Sequence, residues 1–425
     1  EYMQTAVDGI MEGLEQLSNR GISHRALRHN NLFFFDEKRE RVLLGDFVST
    51  PAGFDQPVVY ETIERGMADE GARGTGFIED DMYAFGVTIA SMVQNQLPVD
   101  GDSKEQIIIS KIETSSFQTI VGNNVITPKV LGAMRGLLND DPDDRWGFEE
   151  LANWRNGLPN VPKPSTAVHE AHRPLELDGY KHMYPRALAY SMSRRPDISI
   201  ELINEGTIER WVAKDFMDED LTPTFAANLE TARVQSRNVK EADDVLLAHV
   251  LMLLDPQAPV RYKDVSYMPD AFGEALVTES VRGGDFRQLS ESVTNRVPNI
   301  WLEINEELST SPEMERVNYS RLRTHLQKAG SGFGIERCIY ELNWDFPCQS
   351  PLFENEYVLN VEDILPSLNE AEKRVDPKTS PVDRHIAAFV AARVRKPVGQ
   401  FLQDIDDPDD AVHILGTLKL LASLQ

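Results

Sequence analysis

No stretch of this 425-residue chain comes near the roughly eighteen consecutive apolar residues of a membrane-spanning helix, so no membrane insertion is expected. No basic-then-apolar leader opens it, and no signal peptide is read. Cysteine is scarce. Cys338 and Cys348 stand ten positions apart with no Cys or His paired at metal-ligand spacing, which reads as two buried free thiols in a reducing, cytoplasmic setting. Positive charge is also short: 43 Lys and Arg face 69 Asp and Glu, a formal net charge of -26. Such a surface repels phosphate backbones and anionic lipid, so no nucleic-acid partner is expected, and a basic protein is the partner class that acidity suits. The acidic runs Asp140, Asp141, Asp143, Asp144 and Asp404, Asp406, Asp407, Asp409, Asp410 read as solvated turns. Their interleaved prolines favour turns, and neither run has the glycine and glutamate spacing of a calcium loop.

The chain opens on Glu1 inside a helical pattern, and is read as part of something longer. Met3, Ala6, Ile10, Met11, Leu14 and Leu17 recur at helical spacing over residues 2–19. Apolar runs at 31–35 and 41–45, split by the charged stretch 36–39, predict a hairpin. An apolar helix over 81–94 should stop at Leu97-Pro98, with further helices at 127–139 and 147–155. Gly157, Pro159, Pro162, Pro164 and Pro174 then punctuate a segment with little pattern, which sets a predicted division into residues 1–156, a Pro-rich linker 157–174 and a domain 175–425. Beyond the linker the period is helical (186–192, 198–214, 242–254, 361–375, 382–394, 411–424), with no strand-turn-strand signal and no fixed repeat. The fold expected is mainly α, ending in an α-helical bundle or irregular solenoid.

Four motifs carry chemistry. His24-Arg25-Ala26-Leu27-Arg28-His29-Asn30-Asn31 is similar to the His-Arg-Asp-Leu catalytic loop of protein kinases and its downstream Asn. Gly45-Asp46-Phe47-Val48 resembles the Asp-Phe-Gly motif with valine for its glycine. Asp81-Met82-Tyr83-Ala84-Phe85-Gly86 resembles the opening of the family's buried central helix, and Asp141-Pro142-Asp143-Asp144-Arg145-Trp146 the segment that closes the C-terminal lobe. In this order and spacing they make residues 2–155 resemble a protein kinase C-terminal lobe, of the kind found in bacterial-type Ser/Thr pseudokinases with a helical extension.

The resemblance implies roles position by position. The base of phosphoryl transfer would stand at 26, where Ala26 offers no proton acceptor. Asn31 and Asp46 match the magnesium ligands. Asp81 would accept hydrogen bonds from the backbone of His24 and Arg25, and His24 would stack on Phe47. Glu61 would pair with Arg145, a buried contact whose disruption costs on the order of 3–5 kcal/mol. Only fifteen positions separate Asp46 from Glu61, and Val48 lacks glycine's freedom, so Ser49, Thr50 and Tyr60 are expected in a fixed segment. His29 is the one nearby group that could replace the base. No glycine-rich loop, strand lysine or helix glutamate precedes this lobe, so no cofactor is expected in this chain, and Mg-ATP would enter only with an N-terminal lobe. The glycines at 71–76 and 330–334 read as turns, since neither stretch follows a strand and opens a helix.

His169-x-x-His172 has metal spacing but no acidic or thiol partner. His249, His385 and His413 read as core or boundary histidines, and Trp211, Trp301 and Trp344 as anchors of the helical core. The function expected is a catalytically impaired kinase-like scaffold or regulator acting through a protein partner. Its rivals are an ATP-dependent AMP or phosphoryl transferase using Asn31 and Asp46, and a helical half that binds a peptide in a groove.

Overall fold

A computed structural model describes residues 2–164, 170–216, 221–237, 239–305 and 317–424. Helix α1 (Tyr2–Ser18) buries Val7, Ile10 and Leu14 at helical spacing, and a short 3-10 turn over His29–Asn31 leads into an antiparallel hairpin. Its strands β1 (Leu32–Phe34) and β2 (Val42–Leu44) pair with Phe33 opposite Leu43, as the split apolar runs predict. After the short α2 (Ile63–Met67) comes α3 (Ile78–Gln94), apolar round most of its circumference and buried from Asp80 to Ala90. A helix with no polar face belongs inside. It stops at Asn95, a left-handed cap two residues before the Leu97-Pro98 pair.

Helices α4 (Lys104–Thr114) and α5 (Ser116–Val121) escape the sequence pattern, although Ser103 and Gln106 form a capping box that marks the start of α4. Helices α6 (Pro128–Leu137) and α7 (Phe148–Arg155) follow where predicted. Leu14, Tyr83, Phe85, Met134, Leu137 and Trp146 share one core with α3 at its centre.

Residues 175–271 hold strands that the apolar pattern of the sequence does not signal clearly, within a region that is mainly helical as expected. Two hairpins occur there: β3 (Leu175–Leu177) with β4 (Tyr180–His182), and, later, β5 (Val260–Tyr262) with β6 (Val265–Tyr267). Three-residue strands are too short to display alternation, but Asp178-Gly179 is a hairpin turn signal that the sequence does contain. Between the hairpins lie α8 (Pro185–Ser193), α9 (Pro196–Asn204), α10 (Thr207–Trp211), α11 (Leu221–Ser236) and α12 (Ala242–Leu254). The single helix expected over 198–214 is broken at Glu205-Gly206 and finishes in a π-helical stretch at Val212–Phe216.

The chain forms two compact units, Glu1–Ala271 and Phe272–Gln425, whereas composition places the division at the Pro-rich 157–174. Residues 175–271 pack on the N-terminal region. Ile63, Met67, Ile108, Ala187, Tyr190 and Ala258 form one apolar cluster. Asp69 N–H donates to the Ser266 carbonyl at 2.8 Å, and Met268 N–H to that of Ala72 at 2.9 Å. Among the described residues the prolines of this stretch mark where regular structure lapses, which is a different thing from where contacts lapse.

The second unit is helical among the described residues: α13 (Phe272–Arg282), α14 (Arg287–Thr294), α15 (Val297–Ile304), α16 (Tyr319–Gln327), α17 (Ile335–Leu342), α18 (Ile364–Ala371), α19 (Arg384–Arg393), α20 (Gly399–Ile405) and α21 (Asp410–Ala422). Trp211 and Trp301 are buried as expected of anchors, but Trp344 is 63% exposed, its ring under the Arg393 guanidinium. That guanidinium donates to the carbonyls of Asn343, Trp344, Phe346 and Leu359, so it staples the surrounding loops and leaves the indole outside. Within the glycine stretch at 330–334, Ser331 binds a carboxylate of the chain itself: Asp406 accepts from Ser331 N–H and from the Ser331 hydroxyl, each at 2.7 Å.

Candidate functional site

The loop from His24 to Asn31 is held from below by the first turn of α3. Asp81 accepts from the backbone N–H of His24 at 2.6 Å and of Arg25 at 2.8 Å. The His24 ring lies 4.8 Å from that of Phe47, centroid to centroid. Burial lowers the His24 imidazole to about 4, and it raises the Asp81 carboxyl to about 6 although Arg25 and the two N–H donors act against it.

Asn31 closes the loop. Its side-chain Nδ2 donates to the carbonyls of Ala26 and Asp46, both at 2.9 Å, and this places the Asp46 backbone beside the loop. The Asp46 carboxylate itself is exposed and turned into its own chain, accepting from Val48 N–H at 3.0 Å and Ser49 N–H at 3.3 Å. Hydrogen bonds from Ser49, then Val48, hold it below its ordinary value. Ala26 brings only a methyl group. His29 is exposed, with Nδ1 2.7 Å from the Tyr60 hydroxyl, which in turn lies 2.9 Å from Ser91 Oγ.

Residues 1–155 match the protein kinase domain family. The N-terminal part of this chain is a protein kinase-like domain. The match ends where α7 ends, at Arg155. No curated protein and no solved structure matches the chain.

Within the kinase-like domain one expected pair is replaced. Glu61 does not meet Arg145. It binds the loop arginine instead, Arg25 Nη2 to Glu61 Oε2 at 2.6 Å with both side chains buried, and Arg73 approaches its other oxygen at 3.8 Å. Arg145 donates to the carbonyls of Asn139, Glu79 and Asp140. The Asn139 and Asp140 carbonyls lie just past the C-terminal end of α6.

Around Glu61 is a buried ionic lattice that the motifs do not reveal. Arg65 bonds Asp80 at 2.8 Å and lies 3.6 Å from Asp270, while Arg73 donates to the carbonyls of Gly53 and Gln56. Burial alone would raise the Asp80 carboxyl, but Arg65 and then Arg25 hold it well below the usual carboxylate range. Lys111 Nζ donates to the carbonyls of Val58, Val59 and Glu61, and burial lowers its amine to about 7. The segment between Asp46 and Glu61 is thus tied at both ends: Gln56 Nε2 also donates to the Leu27 carbonyl at 3.0 Å, and Tyr60 is buried. The adjacent Asp80 and Asp81 are the one sequence sign of two distinct buried acids.

Magnesium, which such domains use with ATP, would find two oxygen donors here, the Asn31 amide and the Asp46 carboxylate. Two suit a hydrated ion that takes its remaining ligands from water and phosphate. Among the described residues no three His, Cys, Asp or Glu side chains group to hold a metal. His169 lies outside the described residues. No helix among the described residues is long and apolar enough to cross a membrane. His385 and His413 are hydrogen-bonded, to the Tyr340 hydroxyl and the Ile405 carbonyl, whereas the buried Nε2 of His249 has no hydrogen-bond partner among the described residues.

Proposed function

We propose that this chain is a catalytically impaired kinase-like protein, a pseudokinase that acts as a scaffold or regulator through contacts with protein partners. The observation that carries this reading is Ala26: the loop is clasped by Asp81 and closed by Asn31, and the position that would hold the proton acceptor carries a methyl group. The ion pair Arg25–Glu61 fixes the lobe without serving chemistry. The hairpin adds surface suited to contacts, since Phe33 is 56% and Phe35 65% exposed, with Phe34 exposed on the opposite face. Incubation with labelled ATP, magnesium or manganese and general protein substrates should give no phosphoryl transfer, and Ala26→Asp should not restore it. Robust transfer by the unmodified protein overturns the proposal.

A second reading, an ATP-dependent AMP or phosphoryl transferase of altered chemistry, is favoured by the exposed, ionised Asp46 next to Asn31. It requires Mg-ATP binding that Asp46→Ala abolishes. Calorimetric titration of Mg-ATP into this chain and into a longer form that carries an N-terminal lobe separates the two: binding by the longer form that is lost in Asp46→Ala favours the transferase, and no binding by either favours the scaffold.

A further inference from the structure

Helix α21 is apolar on two opposite faces. One is covered: Gly416, Thr417 and Leu420 are buried against α20, and at Gly416 the helices approach so closely that a Cβ would lie 2.7 Å from that of Asp404 and 2.8 Å from Ile405 N. His413 Nδ1 at the Ile405 carbonyl and Lys419 at Asp404, 3.3 Å, fix the rotation of α21 about its axis. The helical period therefore aims Ala411, Ile414, Leu415, Leu418 and Ala422 away from α20. All five are exposed, and Ile414, Leu415 and Leu418 are each half exposed or more. This i, i+3, i+4, i+7, i+11 stripe is the pattern by which a helix packs on another helix, and a surface helix with a polar outer face would lack it.

Charge selects the occupant. Residues 399–424 carry five carboxylates and one lysine, and the lysine is already paired with Asp404. Asp406, Asp407, Asp409 and Asp410 are exposed at the N-terminal end of the stripe. A second copy of the chain would bring a second set of the same acids, and a net charge of -26, against the first. We propose that the Ala411–Ala422 face of α21 is a docking site for a basic amphipathic helix of a partner protein, its apolar stripe on Ile414, Leu415 and Leu418 and its cations beside the acidic turn. The proposal names a surface and a partner class for the contact-based reading above. It stands or falls apart from the kinase-like domain, because its readout is binding to α21 alone.

The test uses the whole chain and a fluorescein-labelled peptide of leucines at i, i+3, i+4 and i+7 with lysines elsewhere. Two controls accompany it, the same composition with leucines scattered round the helix, and glutamates in place of the lysines. Saturable one-to-one binding of the first peptide alone is expected, weakened severalfold by high salt and by Asp407→Asn/Asp410→Asn, and at least tenfold by Leu415→Glu/Leu418→Glu. Those two leucines are exposed, so the variant should keep its fold, which circular dichroism checks. The proposal is overturned if the amphipathic peptide does not bind, if the scattered peptide binds equally, or if the leucine variant binds unchanged. It is also overturned if sedimentation shows a dimer, abolished by Leu418→Glu, that excludes the peptide.

Discussion

Arg25 and Glu61, 36 positions apart, form a buried ion pair at 2.6 Å, and it joins the His24–Asn31 loop to the end of the segment that begins at Asp46. Arg25 holds a left-handed backbone, φ +54, while its N–H is bonded to Asp81. Burial opposes the charge on Arg25, yet Glu61, followed by Asp80, raises its affinity for the proton. The pair thus organises the loop even though the position next to it is Ala26.

Removing one partner strands the other charge. Glu61→Ala should lower stability by about 3–5 kcal/mol, and Arg25→Met/Glu61→Leu should recover much of that, because no buried charge is then left alone at this pair. Urea-unfolding midpoints of the two variants measure it. A Glu61→Ala variant as stable as the parent would contradict the finding.

Two groups at the clasp titrate in one window with opposite sign. The unfolded chain takes a proton on His24 near its ordinary 6.5, and the folded chain only near about 4, so this group costs stability as pH falls through that range. Asp81 releases its proton near 3.8 unfolded and about 6 folded, so it costs stability as pH rises. Each spans about 3 kcal/mol. His24→Gln should therefore leave a protein that weakens from pH 4 to 6, and Asp81→Asn one that strengthens over the same range, with the parent flatter than both. Unfolding midpoints across that range give the slopes.

Lys111 donates to three carbonyls at 2.8–3.1 Å from inside the core. Lys111→Met fills the volume and leaves Val58, Val59 and Glu61 without that donor, at about 1–3 kcal/mol for each acceptor that finds no other. Since burial holds the amine near about 7 against 10.5 when unfolded, the parent should also gain stability as pH rises from 7 to 10, and the variant should not. Hydrogen exchange at residues 58–61 should speed up in the variant.

Gly136 on α6 lies under the Trp146 indole so closely that a Cβ would overlap the ring. Gly136→Ala should cost about 1–3 kcal/mol through overpacking and shift the tryptophan emission. An unchanged midpoint and spectrum would mean that the ring sits elsewhere.

Local pattern decides a good deal of this protein. The apolar period places α1, α3, α6, α7 and α12, the split apolar runs place the first hairpin, and the motif order brings Asp81 to the backbone of His24 and Arg25, because these features depend on residues near one another or on a shared family pattern. Ala26 is legible from its identity alone, since a methyl group cannot accept a proton in any conformation. Partner choice among ions was left to the fold. An arginine in a sequence can reach any carboxylate that three dimensions bring near, so Glu61 is bound to Arg25 and not Arg145, and Arg65, Arg73, Asp80 and Lys111 join a lattice that no spacing announces. The same reason extends the first compact unit to Ala271 across a Pro-rich stretch, and it turns Trp344 outward while burying Trp211 and Trp301. Composition records which side chains can be buried, and only packing decides which of them face each other.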